Sequence, residues 1–429
     1  MRGFEDRAGP AHHPECPGRH PLANADMDTW DRPRPVPTRG GRACGYGIVT
    51  DARAVPGRMP IRARRRDSVS RMDHPPRTRP PATLASLAAE LGVSRTTVSN
   101  AYNRPDQLSP QLRSRVMEAA RRMGYPGPDP MARSLRTRKA GAVGLLLAEQ
   151  VSYAIRDPGA VAFLEGLTLE CDQAQVGLLL VPARPGSEDV AGVTRAAVDG
   201  FVVYSMPDDD PHLTAALARP VPSVICDQPT FPGTDSVGID DKAAIREVAE
   251  HLLRLGHRRL GVVCMRLGRA RLDGPVPIDR QAAARYHVQR SRLAGLREAC
   301  TAAGVAWDRI PVVERFEHTV EAGASGAAEV LSLDPGITAL IATSDVLALG
   351  AIAELTRRHQ RVPQDVSVTG FDGIRAAVDA GLTSVEQPVV DKGRQAGRML
   401  LNPARKAAGR RVLLPTTFLP GRTTAPPRR

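Results

Sequence analysis

Arg95, Thr96, Thr97, Ser99, Asn100 and Asn103 fall close together within LGVSRTTVSNAYN, residues 91–103. The stretch holds no His, Cys or carboxylate, so its Ser and Thr hydroxyls have no neighbouring base to activate them. Its chemistry is that of nucleic-acid recognition. An Arg can pair bidentately with guanine and an Asn with adenine, while Ser and Thr hydroxyls suit phosphate. To do this they must stand on the outer face of a helix that fits a major groove, with its N-terminal residues towards the base edges. An ordinary solvated helix carries similar residues, so the flanking elements must decide.

Those elements are three short helices. Thr83 suits an N-cap, and Leu84, Leu87, Ala88 and Leu91 follow at helical spacing. Gly92 breaks the first helix, and Ser94 caps a second that starts at Arg95. Val93 and Val98 plug the small core with Leu84, Ala88 and Leu91. Ser109-Pro110 opens a third helix, with Leu112, Val116, Ala119, Ala120 and Met123 on its apolar face and Gly124 at its end. The pattern predicts a helix-turn-helix with 95–103 as the recognition helix.

Charge supports that reading. The chain has 429 residues and a formal net charge of +13. Residues 1–80 carry 16 Arg against 9 acids, residues 81–139 carry 9 Arg and Lys139 against 4 acids, and the remainder is neutral. A basic first third implies a polyanion partner there, and a ligand-handling or structural role for the rest. Residues 1–80 are rich in Pro, Arg, Gly and His without periodicity and are expected to be disordered; a start at Met59 or Met72 would leave the first domain whole.

Other functions find little support. The six Cys are scattered without metal-ligand spacing and read as thiols in a reducing compartment. No run of 18 apolar residues and no apolar leader occurs, so a cytoplasmic chain without membrane contact is expected. No GxGxxG follows a strand, and neither a phosphate-binding GxxxxGKS/T loop nor GxSxG occurs. His251 and His257, six apart, do not share a helix face; His257 reads as a surface residue favoured by a helix dipole. No cofactor, metal or enzymatic activity is expected.

After Tyr125 comes PGPDPMARSLRTRKAG, a joint in which a helix from Asp129-Pro130 to Leu135 would be too short to hold together alone. Beyond it, strand-like runs at 142–147, 177–182, 199–204, 221–226, 235–239, 259–264, 338–343, 366–371 and 382–386 alternate with helical stretches at 158–174, 187–197, 240–255, 289–303, 322–332, 346–359 and 389–401. Apolar strands with crossover helices predict an α/β core of two doubly wound parallel sheets, with ligand between the carboxyl ends of the strands. The expected divisions are an extension at 1–80, a headpiece at 81–126, a hinge at 127–140 and a core at 141–424. Within the core, one lobe takes about 141–239 and 388–412, the other about 240–387 and 413–424.

Several runs carry a resemblance: TLASLAAELGVSRTTVSNAYN (83–103), LSPQLRSRVMEAARRMGY (108–125), ARSLRTRKAGAVGLLL (132–147), HLLRLGHRRLGVV (251–263), TSDVLALGAI (343–352) and RVPQDVSVTGFDGI (361–374). In these the chain resembles the LacI/GalR family of bacterial repressors, from residue 83 to about 424. The resemblance implies a three-helix headpiece, a hinge helix and a two-lobed core like a periplasmic binding protein. It implies base reading by Arg95, Thr96 and Asn100, and phosphate contact by Ser94, Thr97, Ser99 and Asn103. It makes Leu135 a minor-groove wedge, which would also give the short hinge helix its partner. In the core it implies effector contact by Arg292, Asp372 and Phe316, with Asp227, Tyr153, Gln387 and Ser344 as further effector contacts. Tyr102 is bulkier than the aliphatic residue usual in the family. Ser344 stands where the family often has Asn, and its side chain is too short to bridge both lobes. Residues 265–288 form an insertion near the expected cleft mouth. The implied function is a repressor that binds a pseudo-palindromic operator as a homodimer, or as a tetramer, under control of a sugar- or metabolite-like effector. A solute-binding protein of the same core fold is the alternative, against which residues 83–139 argue.

Overall fold

A computed structural model describes residues 82–129, 134, 137–184, 186–402 and 409–428. The expectations for residues 1–80 and for the Leu135 wedge lie outside the described residues.

Three helices form first. In α1 (Leu84–Leu91) the Thr83 hydroxyl accepts the Ser86 N–H and the Ser86 hydroxyl accepts the Thr83 N–H, a reciprocal cap. Gly92 ends α1 at φ 64°, a left-handed conformation that favours glycine. α2 runs Arg95–Asn103, the span the sequence indicates, and α3 runs Pro110–Met123 from the Ser109 cap. Leu87, Ala88, Val98, Ala101, Val116, Ala119 and Ala120 form their shared core, with Val93 packed against it.

The core then alternates strands and helices. In chain order these are β1 (Ala142–Leu147), α4 (Pro158–Ala174), β2 (Gly177–Pro182), β3 (Phe201–Tyr204), β4 (Ser223–Cys226), β5 (Asp235–Gly238) and α5 (Asp241–Arg254). Next come β6 (Leu260–Met265), β7 (Gly274–Pro275), α6 (His287–Ala302), β8 (Val312–Arg315), α7 (Val320–Leu333), β9 (Ala339–Ala342) and α8 (Asp345–Arg357). The chain closes with β10 (Ser367–Thr369), β11 (Ser384–Glu386), α9 (Val389–Leu401), β12 (Arg411–Leu413) and β13 (Thr417–Leu419). One sheet has the order β12-β5-β4-β3-β1-β2 with every pairing parallel. The other has the order β10-β9-β6-β8-β7 and is parallel except for β7. β11 and β13 make a small antiparallel pair. This is the expected α/β architecture of two parallel sheets.

Where α9 meets α4, small residues allow close contact. A Cβ on Gly166 would lie 1.9 Å from the Val390 carbonyl oxygen. The helix that follows β11 is thereby locked onto the first sheet's lobe, which fixes where its polar face points.

The structure departs from the sequence reading at several points. β8 was not anticipated, because Glu314 and Arg315 interrupt its apolar run; both are buried and paired, with Arg280 at 2.5 Å and Glu329 at 2.7 Å. The helix expected at 187–197 shrinks to Ala191–Arg195, and a short helix at Pro211–Leu217 was missed. His257 is not a surface residue. It is 1% exposed, with Nδ1 2.8 Å from Thr338 Oγ1 and Nε2 2.8 Å from the Ala425 carbonyl, so it ties the C-terminal segment to the sheet. Among the described residues, no helix is long and apolar enough to cross a membrane.

Candidate nucleic-acid interface and interlobe cavity

Val98 and Ala101 bury one face of α2, which leaves the other outward. Ser94 Oγ accepts the Thr97 N–H at 3.0 Å and lies 2.9 Å from Thr97 Oγ1. Both hydroxyls are thus held at the helix N-terminus, where free N–H groups and the helix dipole favour an anion. Asn103 donates from Nδ2 to the Ser99 carbonyl at 3.0 Å and to Ser99 Oγ at 3.2 Å. Arg95 and Thr96 are exposed, and Asn100 donates to Gln107 Oε1 at 3.3 Å. The extra bulk of Tyr102 is accommodated edge-on against Tyr125, with ring centroids 6.0 Å apart.

The second feature is a cavity of about 430 Å³ at the carboxyl ends of the strands, lined from both lobes. β1 delivers Glu149, β3 Tyr204, β4 Asp227, β6 Arg266 and β10 Asp372, as the doubly wound topology requires. Arg292 enters from α6. Its Nε and Nη2 both lie 2.8 Å from Asp241 Oδ1, and its Nη1 donates to the Thr343 carbonyl at 2.6 Å. The guanidinium sits 3.7 Å from the centre of the Phe371 ring, and its Nη1 is 3.8 Å from Asp372 Oδ1.

Asp372 adopts φ 131°, outside the usual range for a residue with a side chain. Gln387 Nε2 donates to its Oδ1 at 2.6 Å. Burial pushes the Asp372 carboxyl up to about 7; Arg292 opposes the shift and Asp345 adds to it. From Gln387 a polar chain continues, because Lys392 Nζ donates at 2.6 Å both to Gln387 Oε1 and to Asp227 Oδ1. Burial disfavours the Lys392 ammonium, but Asp227, Cys226 and Asp241 together raise its pKa. His318 faces the other lobe. Its N–H donates to the Tyr153 hydroxyl at 2.7 Å, and its Nδ1 is 3.6 Å from Asp157 Oδ2. Burial works against the charged imidazole, yet Asp157 raises its pKa overall.

Arg292, Asp372, Asp227, Tyr153 and Gln387 therefore line one cavity. Phe316 and Ser344 do not. The Phe316 ring is covered by the guanidinium groups of Arg266 and Arg271, at 5.1 and 5.2 Å. Ser344 is fully buried as the N-cap of α8, with Oγ accepting the Leu347 N–H. The bridging expected to be lost there is supplied by His318, whose Nε2 is 2.9 Å from Ser344 Oγ. Sequence reasoning missed His318, Lys392 and Arg266. For Lys392 a signal existed: Lys occurs only four times in this Arg-rich chain, and a compact ammonium fits a crowded carboxylate where a guanidinium fork does not.

Comparison with known proteins adds to this geometry. Residues 83–127 match the family of bacterial regulatory proteins, lacI family, and residues 249–424 match the periplasmic binding protein-like domain. The chain is 50% identical over 366 residues to an HTH-type transcriptional regulator of Mycolicibacterium smegmatis, covering 83% of this chain and 99% of that protein. Among solved structures, a LacI-family transcriptional regulator from Corynebacterium glutamicum is 39% identical, with TM-score 0.62 over 80% of this chain and 98% of the other. The transcriptional regulator CelR in complex with cellobiose is 26% identical, with TM-score 0.57 over 80% and 99%.

Proposed function

Because the chain belongs to the LacI family of bacterial transcriptional regulators, we propose that it is a repressor that binds a pseudo-palindromic operator as a homodimer and is controlled by a small molecule in the interlobe cavity. The observation that carries this is the outward polar face of α2, held in place by buried Val98 and Ala101. Arg95, Thr96 and Asn100 read bases, Ser94, Thr97, Ser99 and Asn103 hold phosphates, and Leu135 enters the minor groove. The headpiece comprises residues 81–126, the hinge 127–140 and the effector core 141–424.

The effector is an uncharged, polyhydroxylated molecule. Among the described residues, the cations lining the cavity already face carboxylates: Arg266 with Glu149, Arg292 with Asp241, His318 with Asp157, Arg375 with Asp379 and Lys392 with Asp227. The four buried cations are thus engaged, and only Arg375, whose side chain is 89% exposed in its surface pair, stays open at the edge; the interior's paired donors and acceptors match hydroxyls. CelR with cellobiose supplies a family precedent. The test is a thermal-shift screen of neutral polyols against phosphorylated analogues, since a ligand of the native state raises Tm. A neutral ligand should raise Tm and change operator affinity, and by linkage the operator must change ligand affinity by the same factor. A rise in Tm with phosphorylated compounds alone would refute the assignment.

Arg95→Ala is expected to relax the preference at one base pair per half-site, at a cost of about 1–3 kcal/mol in specific binding. Gel shifts on a panel of operator variants read this. Uniform weakening on every sequence would assign Arg95 to the backbone instead.

A further inference from the structure

The insertion 265–288 lines the cavity at its two ends, through Met265, Arg266, Tyr286 and Val288, pairs with β8 at Gly274–Pro275, and meets the loop Pro207–Asp210 of the first lobe. The two segments carry opposite charge. Arg269 Nη2 is 2.7 Å from Glu188 Oε1, its Nη1 donates to the Asp209 carbonyl at 3.4 Å, and its Nε is 3.9 Å from Asp210 Oδ2. Arg285 reaches Asp208 and Asp209 at 3.6 and 3.7 Å, and His287 Nε2 is 2.8 Å from Asp208 Oδ2. The Asp208 N–H donates to the Arg285 carbonyl at 3.3 Å, and the Val288 N–H donates to Gln228 Oε1 at 2.7 Å. All of these contacts cross from one lobe to the other.

We infer that residues 265–288 are a charge-held strap that keeps the lobes closed before any ligand arrives and that ionic strength loosens. Two features mark the strap as releasable. Its pairs are partly wet, since the side chains of Arg285 and Asp209 are 58% and 41% exposed, against 5% and 9% for Arg292 and Asp241. Salt screens the former far more than the latter. The strap is also incompletely satisfied: Asp208 Oδ1 and Arg269 Nε are buried without a hydrogen-bond partner, so opening returns them to water. Operator and ligand are not needed for any of this. Only the consequence, that salt changes effector access, rests on the reading of the cavity as an effector site.

Hydrogen exchange on the full chain without DNA or ligand tests the strap. Between about 0.05 M and about 0.5 M NaCl, peptides covering 206–210 and 285–288 should exchange about 3–10-fold faster, while β3 and β6 stay unchanged. Arg285→Asp should give the same acceleration at low salt, and adding Asp208→Arg should reverse it. Equal exchange at both salt concentrations would overturn the inference. So would a folded double variant that fails to restore protection. Because the readout uses neither operator nor effector, it stands or falls separately from the regulator assignment.

Discussion

Arg292→Met will destabilise the folded chain by about 3–5 kcal/mol in chemical denaturation, the usual consequence of removing one partner of a buried ion pair. Arg292 as a whole residue is 4% exposed and holds Asp241, 8% exposed on the same measure, through two nitrogens. Its loss strands that carboxylate, frees the Thr343 carbonyl and uncovers the face of Phe371. Arg292→Lys should recover only part, because an ammonium cannot both stack on Phe371 and reach two acceptors in fixed directions. A loss below about 1 kcal/mol would show that the cavity's scaffold does not depend on this pair. The same variant bears on pH. Asp372 sits at about 7 in the fold against roughly 4 unfolded, so the folded state binds more protons between those values. Its contribution to stability is therefore present at low pH and declines as pH rises from about 4 through about 7. Asp372→Asn should flatten that decline. Removing Arg292, which opposes the shift, should extend it to higher pH.

Lys392→Met will cost about 3 kcal/mol or more and will also weaken effector binding. Lys392 is 2% exposed and joins Asp227 to Gln387, hence to Asp372. The polar chain thus runs from β4 of one lobe to the strand exit of the other, past the cavity wall. Without the ammonium, the buried Asp227 carboxylate keeps no counter-charge and Gln387 loses its anchor. Lys392→Met combined with Asp227→Asn should regain most of the stability, since a neutral amide tolerates the left-handed backbone at φ 66° and needs no counter-charge. Effector affinity should stay low in the double variant. Full affinity there would place the ligand away from this chain of groups.

What the sequence revealed follows from how local each signal is. α2 was readable to the residue, because Gly92, Ser94 and the Val98–Ala101 face all lie within ten positions of one another. The strands with unbroken apolar runs, such as β1 and β9, were readable for the same reason. β8 was not, because its buried Glu314 and Arg315 look like surface residues until Arg280 and Glu329 arrive from elsewhere in the chain. The cavity was half readable. Arg292 and Asp372 sit in recognisable runs, but Lys392 finds Asp227 across 165 residues and no local pattern announces that meeting. Phe316, placed at the ligand by the resemblance, lies off the cavity because Arg266 and Arg271, from the segment before it, cover its ring, which no local pattern announces.

The central claim is that α2 reads DNA as one half of a symmetric pair. Selection of full-length chain on random-sequence duplexes tests it most directly. The account predicts enrichment of an inverted repeat whose half-sites carry a position that Arg95→Ala relaxes. Recovery of sequences with no repeat, bound equally by the wild type and Arg95→Ala, would contradict it.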